Sequence, residues 1–137
     1  MRNGIIIDTV DEELLKLMKR AGCDFISFGI ESLDQEVLDA SQKNLKLEKI
    51  EKAVQASIKA GIKTGASFII GLPKDTPKKF QKMLEFIKKN ELEETLIYNC
   101  VPYPKTEMLE WAQKNGKLLA KPEEYLNYAS YWKNNVL

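Results

Sequence analysis

Histidine is absent from this chain of 137 residues, and cysteine occurs only twice, as Cys23 and Cys100. Without histidine, neither Ser-His-Asp nor Cys-His catalysis is available, and the side chain most used for proton transfer near neutral pH is missing. Neither cysteine has a partner at metal-ligand spacing, so we expect no zinc or iron–sulfur site held by this chain alone. We expect both cysteines to be buried thiols and not nucleophiles.

Long apolar runs and an excess of one charge are also lacking. No run approaches the length of a membrane-spanning helix, and the first residues do not resemble a signal peptide. The formal net charge is +1, from 21 basic and 20 acidic residues, which gives no electrostatic basis for binding nucleic acid or an anionic membrane. We therefore expect a cytoplasmic protein that binds neither, built as a single domain over residues 1–137.

The most informative stretch runs from Thr64 to Thr76. Its apolar run, Phe68 to Ile70, is typical of a β-strand that is covered on both faces. Gly71 and Pro73 end the strand, and polar residues that can cap a helix follow them. A helix is predicted next, from about Pro77 to Lys89. A strand that leads through such a loop into a helix is where α/β proteins place their binding sites.

The other hydrophobic patterns predict three more strands and several more helices. The predicted strands are 4–8, 25–30 and 95–101, and the predicted helices are 11–20, 34–40, 47–60 and 106–115. In the helix from 47 to 60, Ile50, Val54 and Ile58 repeat along one side, which predicts a buried face. A helical tail is predicted from about 117, on the aromatic residues between 125 and 132. Because strands separated by helices run parallel, we expect an α/β fold with about four parallel strands.

Three predicted strands end in unusual sequences, namely Glu31-Ser32, Gly71-Leu72-Pro73 and Pro102-Tyr103-Pro104. In a parallel sheet all three ends lie at one edge, where a ligand can bind. Each has a simpler interpretation: a helix cap, a tight turn and a rigid exit from a strand. Both interpretations stay open for the first sequence, and the simpler one is preferred for the other two taken alone. By itself, Lys43 is predicted to be a solvated residue in a polar turn.

Several ordered motifs resemble the radical S-adenosylmethionine (SAM) enzymes. They are Asp8-Thr9-Val10-Asp11-Glu12-Glu13-Leu14-Leu15, the stretch from Ala21 to Ser32, the stretch from Phe68 to Pro73, and Pro102-Tyr103-Pro104. The most similar branch is one whose members often carry a cobalamin-binding domain and which includes anaerobic magnesium-protoporphyrin ester cyclase-like proteins. The resemblance extends to about Leu119. It implies a TIM-like partial (β/α) barrel of about six strands, of which this chain is the half from the third strand onward.

The resemblance also implies a SAM site at the carboxyl ends of the strands. Glu31, beside Ser32, would reach the ribose, and Lys43, placed by the resemblance in a helix after that strand, would meet the methionine carboxylate. Ser67 would lie near the ribose. Ile69 and Gly71 would lie beside the adenine, with the backbone of Val101, Pro102 and Tyr103 on its other side. No catalytic residue and no metal ligand is expected in this chain.

The chain departs from the family pattern in ways that affect its chemistry. It lacks both the CxxxCxxC motif, which holds the [4Fe–4S] cluster, and the GGE-type motif, which holds the methionine amino group. Ile6-Ile7-Asp8 stands where relatives often have Arg-Ala-Asp, and Leu33, Lys74 and Lys105 stand where they often have glycine. Without the cluster SAM is not cleaved reductively. We therefore expect a fragment that is not catalytic alone and keeps at most a weak SAM or nucleotide pocket.

Half a barrel leaves strand edges and an inner face uncovered, which favours association. We expect a homo-oligomer, with a dimer favoured, or a separate partner half that carries the cluster. Two further hypotheses on function stay open: a subunit of a split radical SAM enzyme, and a structural or interaction module. Similarity of fold does not choose among these hypotheses.

Overall fold

The computed structural model describes residues 4–115 and residue 118 of the chain. The chain divides into two compact units, Met1–Tyr98 and Asn99–Leu137. The predicted helical tail from about 117, with its aromatic residues, lies outside the described residues apart from residue 118. The prediction of a single domain over residues 1–137 stays a prediction.

The first unit alternates helices and strands. After a 3-10 turn at Ile7–Thr9 come α1 (Glu12–Arg20), β1 (Phe25–Glu31), α2 (Gln35–Ala40), α3 (Leu47–Lys59), β2 (Lys63–Ile70), α4 (Pro77–Lys89) and β3 (Glu94–Asn99), whose last residue begins the second unit. The sheet has the order β1-β2-β3. Since a helix connects each strand to the next, the strands run parallel, and the α/β prediction is confirmed.

Local hydrogen bonds set where the helices begin. The Asp11 carboxylate accepts from the Leu14 amide at 2.8 Å, Asp34 accepts from the Val37 amide at the start of α2, and Thr76 accepts from the Lys79 amide at the start of α4. Each satisfies an amide that has no partner inside its helix. Pro77 at the first position of α4 loses nothing by lacking an amide proton, because that proton would have had no helical acceptor.

The predicted strand at residues 4–8 is reduced to one parallel bridge, between Ile5 and Phe28. The Ile5 amide donates to the Ser27 carbonyl at 2.7 Å, but the chain then turns. The Thr9 hydroxyl donates to the Ile6 carbonyl at 2.6 Å, and this bond holds a 3-10 turn that draws Ile7 into the core. Among the described residues the sheet therefore has three strands and a bridge, where we expected about four strands.

The helices cover one face of the sheet. Ile26, Phe28 and Ile30 of β1 and Ala66 and Phe68 of β2 are all fully buried. They form one hydrophobic cluster with helix residues Leu15, Ile50, Val54 and Met83. A core of this kind supplies most of the stability of a small α/β unit.

The predicted buried face of α3 is right for Ile50 and Val54 and wrong for Ile58, which is 40% exposed. Residues eight apart in an α-helix are rotated by about 80°, whereas residues seven apart are nearly aligned. Ser57 therefore takes the third buried position. Its hydroxyl donates to the Val54 carbonyl at 2.8 Å and lies 2.7 Å from the hydroxyl of Thr64 in β2, so a polar pair is satisfied inside the core.

The second unit contains α5 (Glu107–Lys114), which begins at Thr106. The Thr106 hydroxyl donates to the Tyr103 carbonyl at 2.6 Å and accepts from the Leu109 amide at 3.3 Å. Cys100 is buried as predicted, and its burial raises the pKa of the thiol to about 11. Cys23, in the first unit, is only half-buried at the margin of the core, so the prediction that it is buried is wrong. No described helix is both long enough and apolar enough to cross a bilayer.

Candidate functional site

Small residues line the face of the sheet that points away from the helices. Side chains alternate along a strand, so Ser27 and Gly29 of β1 face opposite to the buried Ile26 and Phe28. The register pairs Ser27 with Gly65 and Gly29 with Ser67 across β1 and β2. We call these four residues the small-residue face. Because these side chains are small or absent, a ligand can approach the backbone more closely here than it could over large side chains.

The accessible part of the small-residue face lies toward the carboxyl ends of the strands. Ser27 and Gly65 are buried, whereas Gly29 and Ser67 are partly exposed. The Phe25 ring lies over Gly65: a Cβ atom there would be 2.8 Å from Phe25 Cζ. The aromatic ring thus closes the amino end of this face and leaves the end near Ser67 open.

Glu31 reaches the open end of this face through an irregularity in β1. The register shifts between Gly29 and Glu31, and Glu31 has a φ of 68°, a left-handed conformation that costs a residue with a side chain about 1 kcal/mol. Its Oε1 lies 3.4 Å from where a Cβ atom on Gly29 would be. The bulge therefore turns the carboxylate back over Gly29, whose partner in β2 is Ser67.

Glu31 and Lys43 form an ion pair, with 3.1 Å between Oε1 and Nζ. The two side chains are 23% and 38% exposed, so both remain accessible to a ligand. Lys43 lies in the loop between α2 and α3, as its polar sequence predicts. Its placement in a helix, implied by the resemblance, is wrong. The α2 helix ends at Ala40, and the Lys43 amide donates to the Leu38 carbonyl, which belongs to a turn after the helix.

Ser32 is buried and holds the next turn. Its hydroxyl accepts from the Asp34 amide at 3.3 Å, while Asp34 itself caps α2. The prediction of a helix cap is therefore right for Ser32, which supports the capping residue Asp34. It does not apply to Glu31, whose side chain contacts Lys43. The role of Glu31 and Ser32 in binding a ligand stays a prediction.

The loop after β2 is a tight turn that the residues from 71 to 76 build themselves. Gly71 has a φ of 82°, and its amide donates to the Asp75 carboxylate at 3.0 Å. The Asp75 amide donates back to the Leu72 carbonyl at 3.0 Å, and Lys74 takes a φ of 68°. Ile69, just before the loop, is partly exposed. The expected roles of Ile69 and Gly71 beside an adenine stay predictions.

A charged cluster that we did not predict connects this loop to the loop after β1. Lys79 Nζ lies 3.0 Å from Asp34 Oδ1 and 2.7 Å from Glu36 Oε2, and it donates to the Lys74 carbonyl at 3.0 Å. Lys79 is only 16% exposed. The sequence contains many lysines, and nothing local distinguishes this one, because its partners belong to other segments of the chain.

The cluster shifts the pKa values of its members. Burial opposes ionisation of Asp34, but the hydrogen bond and charge of Lys79, together with the Val37 amide and Lys82, outweigh it. The pKa of Asp34 therefore lies below its ordinary value of 3.8. The hydrogen bond from Lys79 to Glu36 raises the pKa of Lys79, although burial opposes it, and Asp34 adds to the rise. Both groups are charged at neutral pH.

Little space remains between the two loops. Glu31, Ser32, Asp75, Lys79 and Phe80 line a cavity of about 10 Å³, room for no more than one water molecule. A larger open cavity, of about 890 Å³, lies elsewhere, between the segment 7–15 and α3, with an apolar floor and charged walls of both signs. The space between the two loops is therefore too small for any ligand larger than a water molecule.

Val101, Pro102 and Tyr103 follow β3 in the second unit. Val101 is half-buried, Pro102 is buried and Tyr103 is 50% exposed. The chain reaches the start of α5 through this segment, and its interpretation as a rigid exit from the strand stays a prediction. Their expected place beside an adenine stays a prediction.

A site-differentiated iron–sulfur cluster does not fit the residues of this chain. The two cysteines lie in different units, and neither has a second cysteine near it in sequence. Within the described residues, no group of three or more His, Cys, Asp or Glu side chains is arranged to hold a metal ion.

Comparison with known proteins gives a family, relatives and a shared fold. Residues 2–87 match the family described as the Radical SAM superfamily. An uncharacterized methyltransferase of Pyrococcus horikoshii is 33% identical over 113 residues, which are 82% of this chain and 25% of that protein. The anaerobic magnesium-protoporphyrin IX monomethyl ester cyclase of Rubrivivax gelatinosus is 39% identical over 66 residues, 48% of this chain and 12% of the cyclase.

Among solved structures, the radical SAM methyltransferase TsrM from Kitasatospora setae, with cobalamin and a [4Fe–4S] cluster bound, matches with a TM-score of 0.68. The identity is 22%, and the match covers 85% of this chain and 24% of TsrM. This likeness shows the fold. The chain spans a quarter or less of the length of these relatives.

Proposed function

Because the chain belongs to the radical SAM superfamily, we propose that it is a fragment of that fold that keeps part of a SAM pocket and has no catalysis of its own. Full-length members of the family use SAM and a [4Fe–4S] cluster. The observation that carries the proposal is the position of the Glu31 carboxylate over Gly29, beside the open end of the small-residue face.

The chemistry of this position suits a nucleoside with an amino-acid tail. A carboxylate accepts hydrogen bonds from the two hydroxyls of a ribose, and the small-residue face gives a flat ring close access to the backbone. The Lys43 ammonium, 3.1 Å from Glu31, suits the carboxylate of a methionine tail. In the free protein the two charges neutralise each other. A ligand must share or replace that ion pair, so we expect weak binding.

The half barrel is part of the same proposal. The Ile5 bridge lies on the side of β1 opposite to β2, where a further strand would continue the sheet. A fourth strand would extend this bridge. The other half of the barrel, which this chain lacks, would complete the fold. The absence of three cysteines with the spacing of a cluster motif supports the proposal that the isolated chain is inactive.

The pocket is tested by titrating SAM and, separately, adenosine against the purified chain by calorimetry or NMR. We expect SAM to bind in the range of about 0.1–5 mM, and the Glu31→Gln variant to bind it about fivefold more weakly because one charged acceptor is lost. Glu93→Gln is the matched control, since Glu93 accepts from Lys63 at 2.7 Å at the other end of β2. A wild-type chain that shows no binding at 5 mM would contradict the pocket.

A second candidate function is a subunit completed by a partner. We propose that the open sheet is covered by a second copy of the chain, a dimer being favoured, or by a half that carries the cluster. Leu96, Ile97 and Tyr98 of β3 are 39–42% exposed, and Ile6 is 70% exposed, which supports a missing neighbour.

Light scattering during size exclusion separates the candidates. A dimer mass supports self-association. A monomer that cleaves SAM when mixed with a CxxxCxxC protein from the same genome supports the split enzyme. A purely structural module remains if the chain binds neither SAM nor such a partner and Glu31→Ala has no phenotype.

A further inference from the structure

Lys79 is the point where the two loops of the candidate site meet. Its ammonium contacts Asp34 and Glu36, which follow β1, and the Lys74 carbonyl, which follows β2. The three partners lie 2.7–3.0 Å away, so each can take one of the three ammonium protons. At 16% exposure, the side chain is largely withdrawn from water.

Two of the partners of Lys79 lead on to residues of the candidate site. On one side, the Asp34 amide donates to the Ser32 hydroxyl, next to Glu31. On the other side, Lys74 lies inside the turn in which Asp75 holds the Gly71 amide. Two hydrogen bonds therefore separate the ammonium from either end of the candidate site.

We propose that Lys79 is a positioning residue, which holds the loops after β1 and β2 in one arrangement and thereby sets the affinity for a ligand on the small-residue face. The ligand part of this inference rests on the proposed function. The loops follow directly on the two strands that form the small-residue face, so a change in their relative position is expected to displace Glu31 from the end of β2 and to weaken ligand binding.

Neighbouring charges do not duplicate this role. Lys82 also approaches Asp34, at 3.6 Å, but it is 56% exposed and has no described bond to the loop after β2. Glu36 is 63% exposed and contacts Lys79 only from the α2 side. Among the described ion pairs, Lys79 alone joins a carboxylate of one loop to the backbone of the other.

The test compares Lys79→Met with Lys79→Arg and with a matched control, Lys89→Met. Lys89 lies on the same helix, and its ion pair with Glu51, at 2.8 Å, joins α4 to α3 away from the loops. Hydrogen exchange is followed in peptides covering 31–38 and 70–77, and SAM affinity is measured at 10 °C, well below each variant's Tm. If Lys79→Met does not fold, Lys79→Gln, which keeps one donor, takes its place.

We expect Lys79→Met to speed exchange in both peptides and to weaken SAM binding about fivefold, the size of effect that residues remote from a ligand exert. Lys79→Arg is expected to restore most of the affinity, since a guanidinium retains the charge and the donors. Lys89→Met is expected to match the wild type in both measurements. A purely structural role would lower the Tm without changing the affinity of the folded chain.

The outcomes separate this inference from the proposed function. Exchange that rises in one loop only, or in neither, overturns the coupling of the loops. Exchange that rises in both loops with unchanged SAM affinity overturns the positioning role. If the wild type does not bind SAM, the proposed pocket fails, and the positioning role fails with it, whereas the exchange data still decide whether Lys79 joins the loops.

Discussion

The large apolar residues of β1 and β2 and those of β3 have very different surroundings. Ile26, Phe28 and Phe68 are fully buried, whereas Leu96, Ile97 and Tyr98 of β3 are all about 40% exposed. Strand propensity alone would treat the three segments alike. The difference arises because residues of α1 and α3 cluster with the buried residues of β1 and β2, whereas that cluster contains no residue of β3. Burial in this protein follows from neighbours and not from composition.

The largest expected effect tests this difference in burial. Phe28→Ala removes a fully buried ring and is expected to lower the free energy of unfolding by about 3–5 kcal/mol. Tyr98→Ala, at 40% exposure, is expected to cost less than about 1.5 kcal/mol. Urea denaturation of both variants measures the two values. Equal losses would mean that β3 is as well covered in solution as β1.

The junction of β2 and β3 gives the next effect. A Cβ atom at Gly65 would lie 2.8 Å from Phe25 Cζ and 2.9 Å from the Glu94 carbonyl oxygen, so Gly65→Ala is expected to cost about 1–3 kcal/mol by pushing β3 away. In Gly29→Ala the nearest atom is the flexible Glu31 carboxylate at 3.4 Å, and a smaller loss is expected. Thermal unfolding of Gly65→Ala and Gly29→Ala measures the two losses of stability. If Gly65→Ala does not lower the Tm, β3 is only loosely held against β2.

The charged cluster makes the β1–β2 side dependent on pH. Because the pKa of Asp34 is lowered by folding, its ionised form stabilises the fold fully above the unfolded pKa of 3.8. That stabilisation is lost as the pH falls through the lower pKa of the folded state. Asp34→Asn is therefore expected to be less stable than wild type at pH 6, with the difference shrinking below about pH 4. A difference that is constant from pH 6 to pH 2 would contradict this assignment.

A small stabilisation is expected in the loop after β2. Lys74 has a φ of 68°, and the resemblance implies glycine at this position in many relatives. Lys74→Gly is expected to raise the free energy of unfolding by about 0.5–1 kcal/mol, since glycine takes this conformation without strain. The carbonyl that accepts from Lys79 is kept. Lys105, with a φ of 62° in the second unit, provides the parallel variant Lys105→Gly. A loss of stability at Lys74 would mean that its side chain has contacts in solution.

The smallest expected change in stability tests whether β3 is open. Ile97→Lys, at 42% exposure, is expected to alter the unfolding free energy by less than about 0.5 kcal/mol in a monomer. In a dimer joined through this strand the same change is expected to reduce the mass to that of a monomer, since a lysine on an edge strand prevents pairing. Light scattering at several concentrations reports the result. A dimer that survives the substitution would exclude β3 from its interface.

Sequence patterns were most accurate where the determining contacts are local. The helix predicted at Pro77 to Lys89 has those limits in the structure, because Thr76 caps one end and the chain turns at Asn90. The strand predicted at residues 4–8 was wrong, since the apolar pattern contains no sign of the Thr9 hydrogen bond that bends the chain. The prediction that Ile58 is buried was wrong, because residues that recur every four positions do not stay on one side of an α-helix with 3.6 residues per turn.

The candidate site was predicted only in part, for the same reason. Glu31 and Gly71 follow from the ends of the predicted strands, whereas Ser67 follows only from the resemblance, and their roles with a ligand remain to be tested. Lys79 was missed, because its partners lie in other segments. The positive φ of Glu31 was also missed, since glutamate gives no sign of a left-handed conformation.

The sequence by itself determined the alternation of helices and strands, the parallel sheet and the lack of a cluster motif. These depend on caps, on periodicity and on which residue types are present. Only the tertiary structure decided which lysine joins the two loops, that Glu31 turns back over Gly29, and that β3 stays exposed. Each of these depends on contacts between residues remote in the chain. The free energy of such contacts is set by burial and distance, and a local sequence pattern encodes neither burial nor distance.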